Sequence, residues 1–134
     1  MRRLLFVCIE NSNRSQMAEA FARIHGGAET EAWSAGSRPS GRVNPKAIES
    51  MRERGYDLAT HASKSLDDLP PVVFDAVVTM GCGDACPHVP AKHRTDWQIP
   101  DPRDMDPAAF RGVRDLIESQ VRALLAALDE EASR

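Results

Sequence analysis

The chain has 134 residues, which is enough for one ordinary domain with a buried core. Hydrophobic residues make up 42% and charged residues 28% of it, and this balance excludes an intrinsically disordered chain. The formal net charge is -3 and no sustained basic run occurs, so we expect neither a nucleic-acid partner nor a membrane partner. We predict a single domain that covers residues 1–134.

The first residues superficially resemble a secretory signal, because two arginines precede an apolar stretch. That stretch is too short for a signal peptide, and no small-residue cleavage site follows. No apolar run approaches the length of a membrane span, so we expect a cytoplasmic protein. The three cysteines, an odd number, favour catalytic, redox or metal roles over a structural disulfide framework.

The first predicted unit is a strand followed by a helix. The apolar run over residues 3–8 predicts a short buried strand that ends on a thiol. From Ser15 onward the apolar residues follow a helical period, and Gly26 with Gly27 ends that helix. The apolar residues on its predicted inner face are Met17, Phe21 and Ile24.

A second strand and helix follow. Residues 31–36 predict a strand that leads into a loop. Asn44 followed by Pro45 is typical of a helix start, and Gly55 closes that helix. The apolar residues on its predicted inner face are Ile48 and Met51.

The second half of the chain predicts two more strands and a long helix. Residues 74–80 form an apolar strand, and after a polar loop residues 96–99 predict the fourth strand. The last helix begins at Asp106 and Pro107. Its apolar residues follow helical spacing without a break: Phe110, Val113, Ile117, Val121, Leu124 and Leu128.

Strands that alternate with helices predict an α/β fold with right-handed crossovers. We therefore expect a three-layer domain, with a central four-stranded parallel sheet and helices on both faces. In such sheets the working site lies at the carboxyl ends of the strands. Cys8, Cys82 and Asp101 each follow a predicted strand end, so one crevice can hold all three.

The loop after the first strand has the chemistry of an oxyanion site. Backbone amides and the positive end of the helix dipole point toward it, and Arg14 adds a planar set of donors. Asn11 and Asn13 tolerate the left-handed backbone that such a loop needs. A thiol in this field ionises readily, which predicts a nucleophile at Cys8. The predicted oxyanion-binding residues are Ile9, Glu10, Asn11, Ser12, Asn13, Arg14 and Ser15.

Five segments together, "VCIENSNRSQMAEAF", "WSAG", "VNPKAIESM", "TMGCGDACP" and "DWQIPDP", resemble a known enzyme family. They are similar to thioredoxin-coupled arsenate reductases, which are built on the low-molecular-weight tyrosine phosphatase fold. The match runs in order over nearly the whole chain. The resemblance implies a flavodoxin-like sheet, a role in arsenic resistance and a redox-active disulfide. It implies no cofactor.

The same resemblance implies a role for each sulfur. Cys8 attacks arsenate while Arg14 and the loop amides hold the oxygens, and Asp101 protonates the departing oxygen. Cys82 then attacks Cys8, and Cys86 moves the disulfide outward to where thioredoxin reduces it. Phosphate or sulfate fits the same loop as arsenate.

Two features depart from the family pattern. Glu10 places a negative charge inside the anion loop, for which the sequence offers no reason. Some relatives bind potassium near the loop, at positions that match Asn11, Glu19, Ser34 and Lys64. Because Lys64 stands where a carboxylate is expected, either its ammonium replaces the ion or it is an ordinary exposed lysine. His61 and Ser63 also match family positions, and we interpret His61 as structural.

Other functions compete with this interpretation. A phosphatase needs only Cys8, Arg14 and Asp101, although Arg103 stands where such enzymes usually have an aromatic ring. A reductase that uses mycothiol or glutathione makes Cys82 and Cys86 spectators. Those two cysteines with His88 and His93 also offer the ligands of a zinc site, although their spacing is not that of a known zinc motif. A metal- or arsenite-sensing module uses the thiols as ligands, but no DNA-binding element is evident in the sequence.

Overall fold

A computed structural model of the protein describes residues 1–81 and 89–132. In it, four parallel strands form the central sheet. The strands are β1 (Arg2–Cys8), β2 (Thr30–Gly36), β3 (Phe74–Thr79) and β4 (Ala91–Asp96). Their order in the sheet is β2-β1-β3-β4, and each neighbouring pair is parallel. The predicted α/β fold with a four-stranded parallel sheet is thereby confirmed.

The helices that follow these strands are α1 (Arg14–Gly26), α2 (Pro45–Arg52) and α3 (Pro107–Ala132). Shorter 3-10 turns lie at Gly27–Glu29, Leu58–Thr60 and Leu66–Asp68. Alternate residues of β1 point to opposite faces of the sheet. Leu4 and Phe6 join the large apolar cluster that includes α1 and α3, whereas Leu5 and Val7 join a smaller cluster with Leu66. Both faces of the sheet are therefore covered.

The fourth strand is not where the sequence predicts it. It covers Ala91–Asp96 and ends where the predicted strand, residues 96–99, begins. As an edge strand β4 pairs only with β3, and its residues after Ala91 are exposed, so it carries no apolar signal. Trp97 and Ile99 are buried, but they lie in the segment that follows the strand.

Helix α1 begins one residue before the predicted start, and Gly27 follows it with φ 70. Met17 and Phe21 are fully buried as predicted. Ile24 is 42% exposed, so its predicted place in the core is wrong. The burial of α1 ends at Ala22, because the last turn of the helix extends beyond the core.

Helices α2 and α3 begin at the predicted caps. The Asn44 side chain accepts a hydrogen bond from the backbone N–H of Lys46, and Asp106 caps α3 through the N–H of Ala109. The predicted inner residues of α2 and α3 are buried except Ile48 and Leu124, which are partly buried against the core. None of the described helices combines the length and apolarity that a bilayer crossing requires.

Candidate active site

The loop between β1 and α1 begins at Cys8, the last residue of the strand, and ends at Arg14, the first residue of the helix. The Cys8 side chain is buried, with 3% of its surface exposed. Its Sγ lies 2.9 Å from Oγ of Ser15, which is buried in the first turn of α1. The Ser15 hydroxyl is therefore in hydrogen-bonding contact with the Cys8 sulfur.

Asn11 supplies the left-handed backbone of this loop, with φ 49, as the sequence predicts. Asn13 does not, since its φ is -123. The Asn11 side chain donates through Nδ2 to Ser15 Oγ over 2.7 Å. Because Ser15 Oγ accepts that bond, its own hydrogen is left to point at the Cys8 sulfur.

A chain of buried hydrogen bonds continues from Asn11 toward the surface. Gln16 Nε2 donates to the backbone and side-chain oxygens of Asn11, at 3.1 and 2.9 Å. Gln16 Oε1 accepts from Nδ1 of His61 over 2.9 Å, and Nε2 of His61 lies 2.6 Å from the Tyr56 hydroxyl. This connection links Tyr56 to Cys8 through four intermediate side chains. The sequence reveals neither Gln16 nor Tyr56 as part of the site.

The protonation state of His61 agrees with these partners. Burial lowers its pKa below the ordinary value and outweighs Glu19, whose carboxylate lies 3.5 Å from Nδ1 and acts in the opposite direction. The neutral ring carries its hydrogen on Nδ1, because Gln16 Oε1 can only accept. Nε2 is then free to accept from Tyr56.

Arg14 and Asp101 converge on the same space from different elements. Arg14 is 8% exposed, and its Nη1 donates to the backbone carbonyl of Ile99 over 3.0 Å. Its Nη2 lies 4.0 Å from Oδ2 of Asp101. The other oxygen of Asp101 accepts from the backbone N–H of Arg103 over 3.1 Å, which fixes the carboxylate at the cavity mouth.

One cavity of about 420 Å³ is lined by three of the five predicted catalytic residues, Cys8, Arg14 and Asp101. Four more of the predicted oxyanion-binding residues also line it: Ile9, Glu10, Ser12 and Asn13. Asn11 and Ser15 are fully buried and support the loop from behind. Arg38 and Ser40 complete part of the wall, and no spacing in the sequence marks them as site residues.

The charge of Glu10 has a partner in the structure. Arg103 Nη1 donates to Glu10 Oε2 over 3.3 Å, and both side chains line the cavity. The Glu10 side chain is 41% exposed, so its carboxylate lies at the entrance of the cavity and not in its depth.

The residues at the predicted cation site also form a cluster. Glu19 is 4% exposed, and its Oε1 accepts from Ser34 Oγ over 2.6 Å and lies 3.8 Å from Nζ of Lys64. Its Oε2 accepts from Nε of Arg23 over 3.0 Å. Asn11 Oδ1 accepts a hydrogen bond from the backbone N–H of Lys64. Two cationic side chains therefore already compensate Glu19, and this set of residues does not fit an additional potassium ion.

Cys82, Cys86 and His88 lie outside the described residues. The thiol relay and the zinc alternative therefore remain predictions from the sequence.

The model of the low molecular weight phosphotyrosine protein phosphatase family matches residues 3–134. The chain belongs to this family. Within it, the chain is 36% identical over 129 residues to a glutaredoxin arsenate reductase from Synechocystis, covering 94% of this chain and 98% of that one. It is 39% identical over 123 residues to an arsenate reductase from Staphylococcus saprophyticus, covering 89% of this chain and 92% of that one.

Solved structures give the same family relationship. A structure of an arsenate reductase in a phosphate-binding state superposes with a TM-score of 0.84 at 34% identity, over 95% of this chain and 98% of the other. A thioredoxin-dependent arsenate reductase from Corynebacterium glutamicum superposes with a TM-score of 0.81 at 31% identity. That match covers 98% of this chain and 63% of the other. The resemblance to arsenate reductases of this phosphatase fold is confirmed.

Proposed function

We propose that this member of the family reduces arsenate to arsenite and that Cys8 is the nucleophile. The observation that carries the proposal is the position of the Cys8 sulfur, 2.9 Å from a hydroxyl donor and in the same cavity as Arg14 and Asp101. The names of the relatives and of the superposed structures support arsenate as the oxyanion.

The first step joins sulfur to arsenic. The Cys8 thiolate attacks arsenic(V), an S–As bond forms and an As–O bond breaks, while Asp101 gives a proton to the oxygen that leaves as water. Arg14 holds the remaining oxygens through its guanidinium donors. The Ser15 hydroxyl stabilises the thiolate before attack by hydrogen bonding to sulfur.

The second step is the reduction itself. The Cys82 thiolate attacks the Cys8 sulfur, an S–S bond forms, and the two electrons of the S–As bond pass to arsenic, which leaves as arsenite. Cys86 then attacks Cys82, which releases the Cys8 thiolate and leaves a Cys82–Cys86 disulfide. A thioredoxin dithiol reduces that disulfide and is itself oxidised. This relay is supported by the sequence resemblance and by the thioredoxin-dependent relative.

The relatives differ in the reductant that their names give: the Corynebacterium glutamicum relative is thioredoxin-dependent, and the Synechocystis relative is a glutaredoxin arsenate reductase. A small-thiol mechanism uses Cys8 alone and delivers the arsenic adduct to a free thiol. Both mechanisms begin with the same attack by Cys8 and differ in whether Cys82 and Cys86 are needed.

A phosphatase is the second candidate function, since the family model is that of a phosphotyrosine phosphatase. The trio of Cys8, Arg14 and Asp101 suffices for phosphoester hydrolysis. Against an aryl ester as the main substrate, none of the described residues that line the cavity is aromatic. An aryl leaving group next to Asp101 meets the charged pair of Glu10 and Arg103 instead of a ring.

We further propose that Lys64 takes the place of a monovalent cation beside Glu19. The supporting geometry is the 3.8 Å separation between Lys64 Nζ and Glu19 Oε1, together with the hydrogen bond from Ser34 to that same oxygen. The positive charge then belongs to the chain, and potassium is not required.

One set of assays separates these functions. Arsenate, thioredoxin, thioredoxin reductase and NADPH are supplied, and NADPH oxidation is followed for the wild type and for Cys8→Ser, Cys82→Ser and Cys86→Ser. The thioredoxin relay predicts that all three variants are inactive. A small-thiol enzyme loses activity only in Cys8→Ser and works with glutathione or mycothiol. Phosphate release from an aryl ester without NADPH use supports the phosphatase and contradicts the reductase.

A further inference from the structure

Glu10 is a carboxylate in the wall of the cavity that the proposed function assigns to an oxyanion. Unless it is compensated, a carboxylate there repels a bound dianion. Among residues 1–81 and 89–132, Glu10 has a cationic partner at hydrogen-bonding distance, because Arg103 Nη1 lies 3.3 Å from its Oε2.

Both partners of this ion pair are fixed through their backbones. The carbonyl oxygen of Glu10 accepts from the Ser40 N–H and from the Ser63 hydroxyl, each over 3.0 Å. The carbonyl oxygen of Arg103 accepts from Lys46 Nζ over 2.8 Å. The two side chains therefore start from anchored backbone positions.

The pair is poorly suited to stabilise the fold. The Arg103 and Glu10 side chains are 54% and 41% exposed, and ion pairs with that exposure are screened by water. The place where this pair acts is the cavity that both residues line with Arg14. The ion pair therefore acts on the charge that an anion bound in this cavity experiences.

We propose that Arg103 is a positioning residue for oxyanion binding, which acts by neutralising Glu10 at the mouth of the Cys8 cavity. The inference rests on the proposed function, since it takes the cavity as the arsenate site. It gives the Arg103 side chain a role in substrate affinity. The backbone N–H of Arg103, which holds Asp101, is retained in any substitution at this position except proline.

A double-mutant cycle tests this assignment, with inorganic phosphate as the probe and its Kd measured by calorimetry at low ionic strength. Arg103→Ala leaves Glu10 unpaired and is expected to raise the phosphate Kd by roughly three- to tenfold, the scale of one partly screened charge interaction. Glu10→Gln removes the repelling charge. The double variant is expected to bind phosphate within about twofold of Glu10→Gln alone.

Two further measurements separate this role from a structural one. Arg103→Lys keeps the positive charge and is expected to restore most of the affinity. In arsenate turnover, Arg103→Ala is expected to raise KM while kcat stays close to the wild-type value, because the bond between the Arg103 N–H and Asp101 persists.

Arg111→Ala is the matched control. Arg111 forms a similarly exposed ion pair with Glu53 over 3.0 Å, and its removal changes the net charge by the same amount. Since Arg111 does not line the Cys8 cavity, the phosphate Kd is expected to stay within about twofold of the wild type, the limit of a distant screened charge.

Two results overturn the proposal. If Arg103→Ala weakens phosphate binding as much in the Glu10→Gln background as in the wild type, Arg103 contacts the anion directly. If Arg103→Ala has no more effect than Arg111→Ala, the pair is an ordinary surface ion pair. The cycle measures binding alone, so a wild type that binds phosphate but does not reduce arsenate contradicts the proposed function and leaves this test intact.

Discussion

Asn11 contributes both its backbone and its side chain to the anion loop. Its φ of 49 lies in the left-handed region, and its side chain joins Ser15, Gln16 and the backbone of Lys64. Glycine at this position keeps the backbone but loses the side chain, whereas alanine loses the side chain and is also strained. A pair of substitutions therefore separates the two contributions.

We expect both Asn11→Gly and Asn11→Ala to unfold more easily than the wild type, since each leaves buried partners unsatisfied. Asn11→Ala is expected to be less stable than Asn11→Gly by about 1 kcal/mol, the lower end of the usual left-handed penalty. Urea denaturation with equal m-values measures the difference in the free energy of unfolding. An alanine variant as stable as the glycine variant would show that the loop relaxes away from its left-handed conformation.

At the scale of elements, the segment that follows β3 approaches the cavity residue Arg14 through Gly81. This residue has φ 79, and a Cβ atom built on it lies 2.7 Å from Nη1 of Arg14. A methyl group at this position pushes the guanidinium out of place, although Arg14 is also held by the carbonyl of Ile99. The positive φ and this close approach to Arg14 therefore both favour glycine here.

We expect Gly81→Ala to lower the affinity for inorganic phosphate at least about tenfold, because charge-assisted hydrogen bonds from Arg14 are lost. Calorimetric titration of the folded variant measures this effect. Gly112→Ala is the control, since Gly112 lies in α3 with no atom within 4 Å of an added Cβ. It is expected to raise the free energy of unfolding by roughly 0.5–1 kcal/mol and to leave phosphate affinity unchanged. Equal phosphate affinity in both alanine variants would contradict the steric role of Gly81.

The elements that the sequence predicts correctly are those with a local signal. Strands β1 and β3 are largely apolar runs, and α2 and α3 begin at recognisable caps. Strand β4 has no such signal, because an exposed edge strand is polar. Ile24 shows the reverse case, in which helical spacing continues after the helix has left the core.

At the scale of the whole molecule, the site depends on contacts between distant parts of the chain. The loop from Cys8 to Arg14 is predictable because strand, thiol, arginine and helix are contiguous. The bond between Gln16 and His61 joins residues 45 positions apart, and the ion pair of Glu10 and Arg103 joins residues 93 positions apart. Only the sheet topology brings these partners together, so residue spacing cannot reveal them.

The buried chain of hydrogen bonds from Tyr56 to Cys8 makes the stability of the whole protein depend on pH. Burial lowers the pKa of His61 below its ordinary value, so the unfolded state takes up a proton at a higher pH than the folded state does. Well above about pH 6.5, the ordinary pKa of histidine, the imidazole is neutral in both states and His61 does not contribute to the pH dependence of stability. As the pH falls below that value, protonation of the unfolded state lowers the free energy of unfolding, until the folded protein is protonated too.

We therefore expect His61→Gln to be less stable than the wild type near pH 7.5, because its bonds to Gln16 and Tyr56 are disturbed, but to lose less stability between pH 7 and pH 5. One proton taken up by the unfolded state alone changes the free energy of unfolding by at most about 1.4 kcal/mol per pH unit, which bounds the difference in slope. Urea denaturation across this range measures it. His93→Gln, which removes an exposed histidine from β4, is the control variant. A His61→Gln variant whose stability falls as steeply as that of the wild type would mean that folding does not shift the pKa of His61, so that the imidazole takes up its proton at the same pH in the folded and unfolded states.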